Sequence, residues 1–297
     1  MPISLTLGTF TPSVLLRVAR RTGRLDDAGL VVTESAVPSS PGQFAALLDG
    51  SLDAVLTSPD NVLAYRYSPT NPLQRTADAR MVSAVDRGMG LGLYARCSPE
   101  DLRGAAFGVD VPTSGFAFAM YALAESIGLD RGDYELVTLG STPRRLRALL
   151  AGECAATMLN AGNELHAEAA GLTALATVKD TLPPYLGTVL AVVGDAGAAA
   201  PLARVLTATA AEIAGGGLDG EVVAEAGAAL ELPEDLARRY LARLRDPADG
   251  LVPDGVVDPE SIRTLVDLRR RYRPETVDGA DAFAPALETG SGLLVAT

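Results

Sequence analysis

The chain has 297 residues, 48% of them hydrophobic and 21% charged, with 25 lysines and arginines set against 37 acids. That balance describes a folded protein with room for two cores, and a formal net charge of -12 argues against nucleic-acid or anionic-membrane partners, whose phosphates need basic surface. Cys97 and Cys154 are too few for a disulfide framework or a zinc site, and Lys179 is the only lysine, a bias that fits a GC-rich bacterial genome.

A strand over 5–7 opens almost at once after Met1. No charged n-region, apolar h-region or lipid-attachment cysteine stands near it, and no apolar run approaches ~18 residues. The expectation is a cytoplasmic protein without membrane insertion, with a transporter partner only if a leader has been removed. A polar loop over 9–13 leads to a helix over 14–22 whose Val14, Leu15, Val18 and Ala19 share one face. A strand over 30–37 follows. The loop 38–42 starts a helix over 43–48, placing Ser39 and Ser40 where first-turn amides point outward, suited either to an acceptor oxygen or to simple capping.

Residues 46–61, ALLDGSLDAVLTSPDN, then set a motif. An apolar helix end runs into a glycine able to stop it in the left-handed conformation, and a short apolar strand ends in Thr57, Ser58, Asp60 and Asn61. A short helix over 62–67 and a strand over 80–85 precede Asp86-Arg-Gly-Met-Gly-Leu-Gly92. These alternate glycines lack a following helix, so they read better as a backbone crossing between lobes than as a dinucleotide site.

The second half repeats the first. It has a strand over 105–109, a polar loop over 110–115, a helix over 116–127 and a strand over 134–139. Residues 148–163, ALLAGECAATMLNAGN, restate the motif, with Ala46, Leu47, Leu48, Gly50, Ala54 and Asn61 meeting Ala148, Leu149, Leu150, Gly152, Ala156 and Asn163. Two such βαβαβ units predict two α/β lobes, each with a mostly parallel sheet flanked by helices, facing each other across a ligand cleft at the strand ends. Thr113 and Ser114 open a helix after a strand and either hold an anion with its amides or cap it. On the helix over 163–170, Glu164 and Glu168 share a face and His166 lies on the other. That is no metal triad, and packing outweighs catalysis for His166.

Residues 181–185 read as a second crossing, and a strand over 187–193 returns to the first lobe. Lobe 1 is therefore expected to comprise 1–86 plus 187–297, and lobe 2 to comprise 87–186. Helices follow over 201–214, 220–230 and 233–244, and Asp258-Pro259-Glu260-Ser261 starts another. Arg269–Arg271 with Arg273 reads as a solvated helix face. The tail after Pro274 is expected to wrap the surface.

With these residues in view, the chain resembles the type II periplasmic-binding-protein fold of the sulfonate-binding and thiamine-pyrimidine-synthase-like superfamily. The carriers are ALLDGSLD at 46–53, SPDN at 58–61, PTSG at 112–115 and GTVL at 187–190, spread over about two-thirds of the chain. The resemblance implies ligand contacts from Thr9, Phe10, Ser39, Ser40, Ser58, Asp60, Thr113, Ser114, Gly115, Asn160 and Tyr185. Arg87 adds a guanidinium near the crossing. The ligand is expected to be small, polar and anionic, with no cofactor and no metal. The cysteine cluster and donor histidine of the pyrimidine synthases are missing. Two functions stay open: solute binding, or a cofactor-free lyase, dehydratase, decarboxylase, cyclase or isomerase acting on a small organic acid. Asp60, Asp86, Asp110, Tyr185 and His166 are the acid–base candidates for the second.

Overall fold

The computed structural model describes residues 2–295. Its first half runs β1 (Ile3–Thr9), α1 (Val14–Arg21), α2 (Arg24–Asp27), β2 (Leu30–Ala36), α3 (Ser40–Leu48), β3 (Ala54–Thr57), α4 (Pro59–Tyr67) and β4 (Ala79–Asp86). The second half runs β5 (Gly92–Ala95), β6 (Ala106–Val109), α5 (Gly115–Ser126), β7 (Glu135–Thr138), α6 (Thr142–Ala151), β8 (Ala156–Leu159), α7 (Asn163–Ala169), β9 (Thr173–Thr177) and α8 (Val178–Thr181). β10 (Thr188–Val193) then leads into α9 (Ala199–Ala214), α10 (Asp219–Leu230), α11 (Glu234–Leu244), α12 (Pro259–Tyr272) and a hairpin of β11 (Thr276–Val277) and β12 (Ala280–Asp281).

Two five-stranded sheets result, in the orders β2-β1-β3-β10-β4 and β7-β6-β8-β5-β9. The repeated motif accounts for their likeness: α3 and α6 are each followed by a left-handed glycine, Gly50 at φ 80° and Gly152 at φ 81°, before the strand begins. The sheets are mixed where mostly parallel ones were expected. β1 pairs in parallel with β2 and β3, and β6 with β7 and β8, but β10 and β5 are antiparallel to their neighbours. Each of those two strands has just crossed from the other sheet. It arrives at the carboxyl ends of the parallel strands and must run the opposite way. The tail does more than wrap: Met81 and Leu293 to Val295 exchange backbone hydrogen bonds at the edge of the first sheet.

One apolar core is continuous across both lobes, joining Phe44 stacked on Tyr65 at 4.0 Å to Phe107 stacked on Tyr134 at 4.1 Å. A second core packs α1, α9, α10 and α11 on the other face of the first sheet.

Ion pairs lie on two flanks where the lobes meet, the first within lobe 1 and packed on Phe118 of lobe 2, the second between the lobes. The first corrects the reading of the arginine run. Arg269 is only 2% exposed, with Nε 2.6 Å from Asp60 Oδ1 and Nη2 2.7 Å from Oδ2, and it lies over the rings of Phe118 and Phe283. It follows the buried Ile262, Leu265 and Val266 at helical spacing, so it falls on the core face of α12 while Arg270 and Arg271 turn outward. On the second flank, Arg243 of α11 reaches Glu164 at 3.3 Å and Glu168 at 2.8 Å on α7, and Arg239 also pairs with Glu168. The glycine crossing threads past this cluster. Gly90 N–H donates to Asp249 Oδ2 at 2.8 Å, and a Cβ on Gly90 would lie 2.5 Å from Arg243 Nη1. That close approach is what the glycine permits.

Two outcomes follow from these flanks. Asp60→Asn leaves the Arg269 charge buried without a counter-ion, and urea unfolding should show a loss of about 3–5 kcal/mol. A double variant, Asp60→Leu with Arg269→Met, should lose less, because no lone charge is left behind. The second outcome concerns pH. Burial holds the Glu164 carboxyl up at about 7, against about 4.3 for a free glutamate. The folded state then binds that proton more tightly. Its contribution is full below about pH 4 and disappears as pH rises through 7, an effect of about 3–4 kcal/mol. Chemical denaturation between pH 4.5 and 8 should show this decline, and Glu164→Gln should flatten it.

Candidate functional site

Between the lobes lies a cavity of about 130 Å³, open at one side and lined by loops from both sheets. Its apolar wall includes Phe10, Val14, Leu56, Val85, Met89, Phe116, Leu244 and Leu251. Of the residues expected to touch a ligand, Thr9, Phe10, Ser58, Ser114, Gly115 and Asn160 line it, as do Asp86 and Asp110. These positions follow from β-strands ending at the cleft and helices starting there.

Several of the lining side chains are already engaged. Thr9 Oγ1 donates to Glu34 Oε1 at 3.1 Å, and Asn160 Nδ2 donates to the Gly88 carbonyl at 3.2 Å. Ser58 and Ser114 accept from backbone amides at the starts of α4 and α5. Asp86 Oδ1 accepts from the Gly88 amide at 2.9 Å, and burial, aided by the nearby Asp249, pushes its carboxyl up to about 6.

The remaining expected residues stand outside the cavity lining, each for a visible reason. Ser39 caps α3, with Oγ accepting from the Gly42 amide. Ser40 contributes its amide to Asp110 Oδ2 at 3.0 Å, so the anion at the start of α3 is the protein's own. Asp60 is committed to Arg269 and packs against Gly115. A Cβ on Gly115 would lie 2.3 Å from Asp60 Cβ, which is why glycine stands at that helix start. Arg87 donates to the Leu251 carbonyl at 3.0 Å, and Thr113 is half-buried and not part of the lining. Tyr185 is buried beside the crossing, where burial raises its hydroxyl far above the usual range. His166 Nε2 lies 2.7 Å from the Leu230 carbonyl, a helix-packing contact.

The sequence reading overlooked a third strand-end loop, that between β7 and α6. Ser141, Thr142 and Arg145 all line the cavity. Arg145 is 2% exposed, with Nη1 2.5 Å from the Gly140 carbonyl and Nη2 bonding Thr142 Oγ1 and the Met158 carbonyl. Its Nε has no partner among the described residues, and burial pulls the guanidinium down to about 10. The Ser141 hydroxyl makes no capping bond to α6. A signal was present: Ser-Thr-Pro after a strand is the same helix-start pattern weighed at Pro112–Gly115. Among the described residues no group of His, Cys, Asp and Glu is arranged to hold a metal ion, and no helix is long and apolar enough to cross a membrane.

No family model matches the sequence, and neither does any curated protein. Solved structures match in fold. The alkanesulfonate-binding protein SsuA from Xanthomonas axonopodis pv. citri, bound to MOPS, aligns with a TM-score of 0.71 at 18% identity, over 92% of this chain and 94% of its own. The periplasmic nitrate-binding protein NrtA from Synechocystis PCC 6803 aligns with a TM-score of 0.73 at 12% identity, over 94% and 84%. The Candida albicans CA3427 gene product aligns at 0.71 and 12%, over 98% and 96%. At such identities the likeness is one of backbone: this chain has the two-lobed periplasmic-binding-protein fold, of the kind seen in SsuA and NrtA.

Proposed function

We propose that the chain reversibly binds a small organic ligand in the cavity between its lobes, with an acceptor group of that ligand seated at the start of α6. The observation that carries this reading is the buried Arg145, whose Nε lacks a partner while the side chain lines the cavity. The Ser141 hydroxyl, free of capping duty, and the positive end of the α6 dipole favour the same place. Anionic groups such as carboxylate or sulfonate suit it well, and the named solutes of SsuA and NrtA, an alkanesulfonate and nitrate, are of this chemistry. With a net charge of -12 the protein does not draw an anion from afar, so these local dipoles supply the attraction.

One observation favours a second reading. Asp86 lines the cavity with its carboxyl held up at about 6, close to the working range of a general acid or base. On that reading the same cavity performs a cofactor-free proton transfer on a small organic acid, of lyase or isomerase type.

The first experiment is mass spectrometry of the small molecules released when native protein is denatured, followed by calorimetry with the compound found. A Ser141→Ala, Thr142→Val double variant should weaken its binding by about 10-fold to 100-fold, the loss of two hydrogen bonds to an acceptor. Unchanged affinity would place the acceptor elsewhere. Ligand recovered intact after incubation supports binding. Product formation that Asp86→Asn abolishes establishes the second reading.

A further inference from the structure

Two residues of opposite charge line this one cavity, and neither has found the other. Asp110, 9% exposed, gives Oδ2 to the Ser40 amide, while its Oδ1 has no partner among the described residues. Arg145 spends its Nη atoms on two carbonyls and a hydroxyl, and its Nε is left over. The carboxylate acts on the guanidinium through space, yet Arg145 donates to no carboxylate. Each group is pinned by its own anchor: Asp110 to the amide of the opposite lobe, Arg145 to the loop it springs from. Asp86, the cavity's other acid, accepts from the Gly88 amide, and Asp110 is the cavity carboxylate with a buried oxygen left unpaired among the described residues.

We infer that the ligand is dipolar: it carries an amine or ammonium that donates to Asp110 Oδ1, an acceptor group that meets Arg145 Nε, and a short aliphatic body between them. This rests on the binding reading above and adds the second pole. A buried polar atom left unpaired is costly, more so when charged. A purely anionic ligand would satisfy Arg145 but bring a second negative charge toward Asp110. A purely cationic ligand would leave Arg145 bare. Only a molecule with both ends closes both accounts without a residual charge. The body is dictated by Leu56, Val85, Phe116 and Leu244, which offer it no hydrogen bonds.

Calorimetry at pH 7.5 with the ω-amino acids from glycine to 6-aminohexanoate tests this. The n-alkanoate and n-alkylamine of each length serve as single-pole partners. The expected result is one chain length at which the amino acid binds at least 10-fold tighter than either partner. Asp110→Asn keeps an oxygen for the Ser40 amide and removes the negative charge, so it should abolish the amino acid's advantage over the alkanoate, with the alkanoate itself bound no more weakly than by the wild type. Circular dichroism and a thermal melt confirm that the variant is folded; should it not fold, the wild-type series alone decides. Alkanoates that bind as tightly as their amino acids overturn the dipolar inference and leave the acceptor site standing. Binding of no compound in the series also overturns it, and extraction of native protein then judges the binding reading separately: a bound molecule without an amine keeps it, and an empty cavity removes it.

Discussion

The structure depends on a reciprocal exchange of carboxylates between the lobes. Asp110, from the loop after β6, accepts the first amide of α3 in the other lobe, and Asp60, in the first turn of α4, packs against Gly115 at the start of α5. Each carboxylate sits at the positive end of a helix dipole that it does not belong to. The two contacts cross the cleft in opposite directions and fix the separation of its walls. They also remove two of the helix starts at which an external anion would otherwise be held. The starts of α1, α4 and α6 also line the cavity, and α6 brings to it a serine free of capping and a buried arginine.

Much of the fold was legible because it is written twice. The apolar helix end, the left-handed glycine and the short strand recur at 46–61 and 148–163, and the sheets they build have matching strand orders. Strand polarity was harder to read. A run such as TVLAVV has the same period in either direction, and only the route of the crossing decides which way β10 enters. Burial of Arg269 was within reach, since its spacing from Ile262 and Leu265 puts it on the apolar stripe, but a run of four basic residues outweighed that count.

The site was half legible. Strand-end position identified Thr9, Phe10, Ser58, Ser114 and Asn160 as cavity residues, because chain order and fold class suffice for that. Ser39, Ser40 and Asp60 fall outside the cavity lining because each already has a partner in the protein: the Gly42 amide, Asp110 and Arg269. A polar residue at a helix start looks the same in sequence whether its partner is a solute or an aspartate 70 residues away. Arg145 was invisible for a different reason. It lies in the body of an amphipathic helix, among Arg144 and Arg147, and nothing local separates the one guanidinium turned inward from those turned out.

The placement of β10 also governs the order in which the molecule is assembled during synthesis. β3 and β4 are joined only through β10, which lies more than 100 residues downstream of either, whereas the second sheet is complete by residue 177. On the ribosome the inserted lobe can therefore close first. Meanwhile the earlier strands wait with unsatisfied edges on β3 and β4, the kind of exposed edge that invites pairing with another chain. The long sequence separation of these pairings makes their closure intrinsically slow. A chain stopped anywhere between residues 177 and 193 would carry one finished lobe and one sheet split down its middle, so the segment that returns from the second lobe is also the chain's point of commitment.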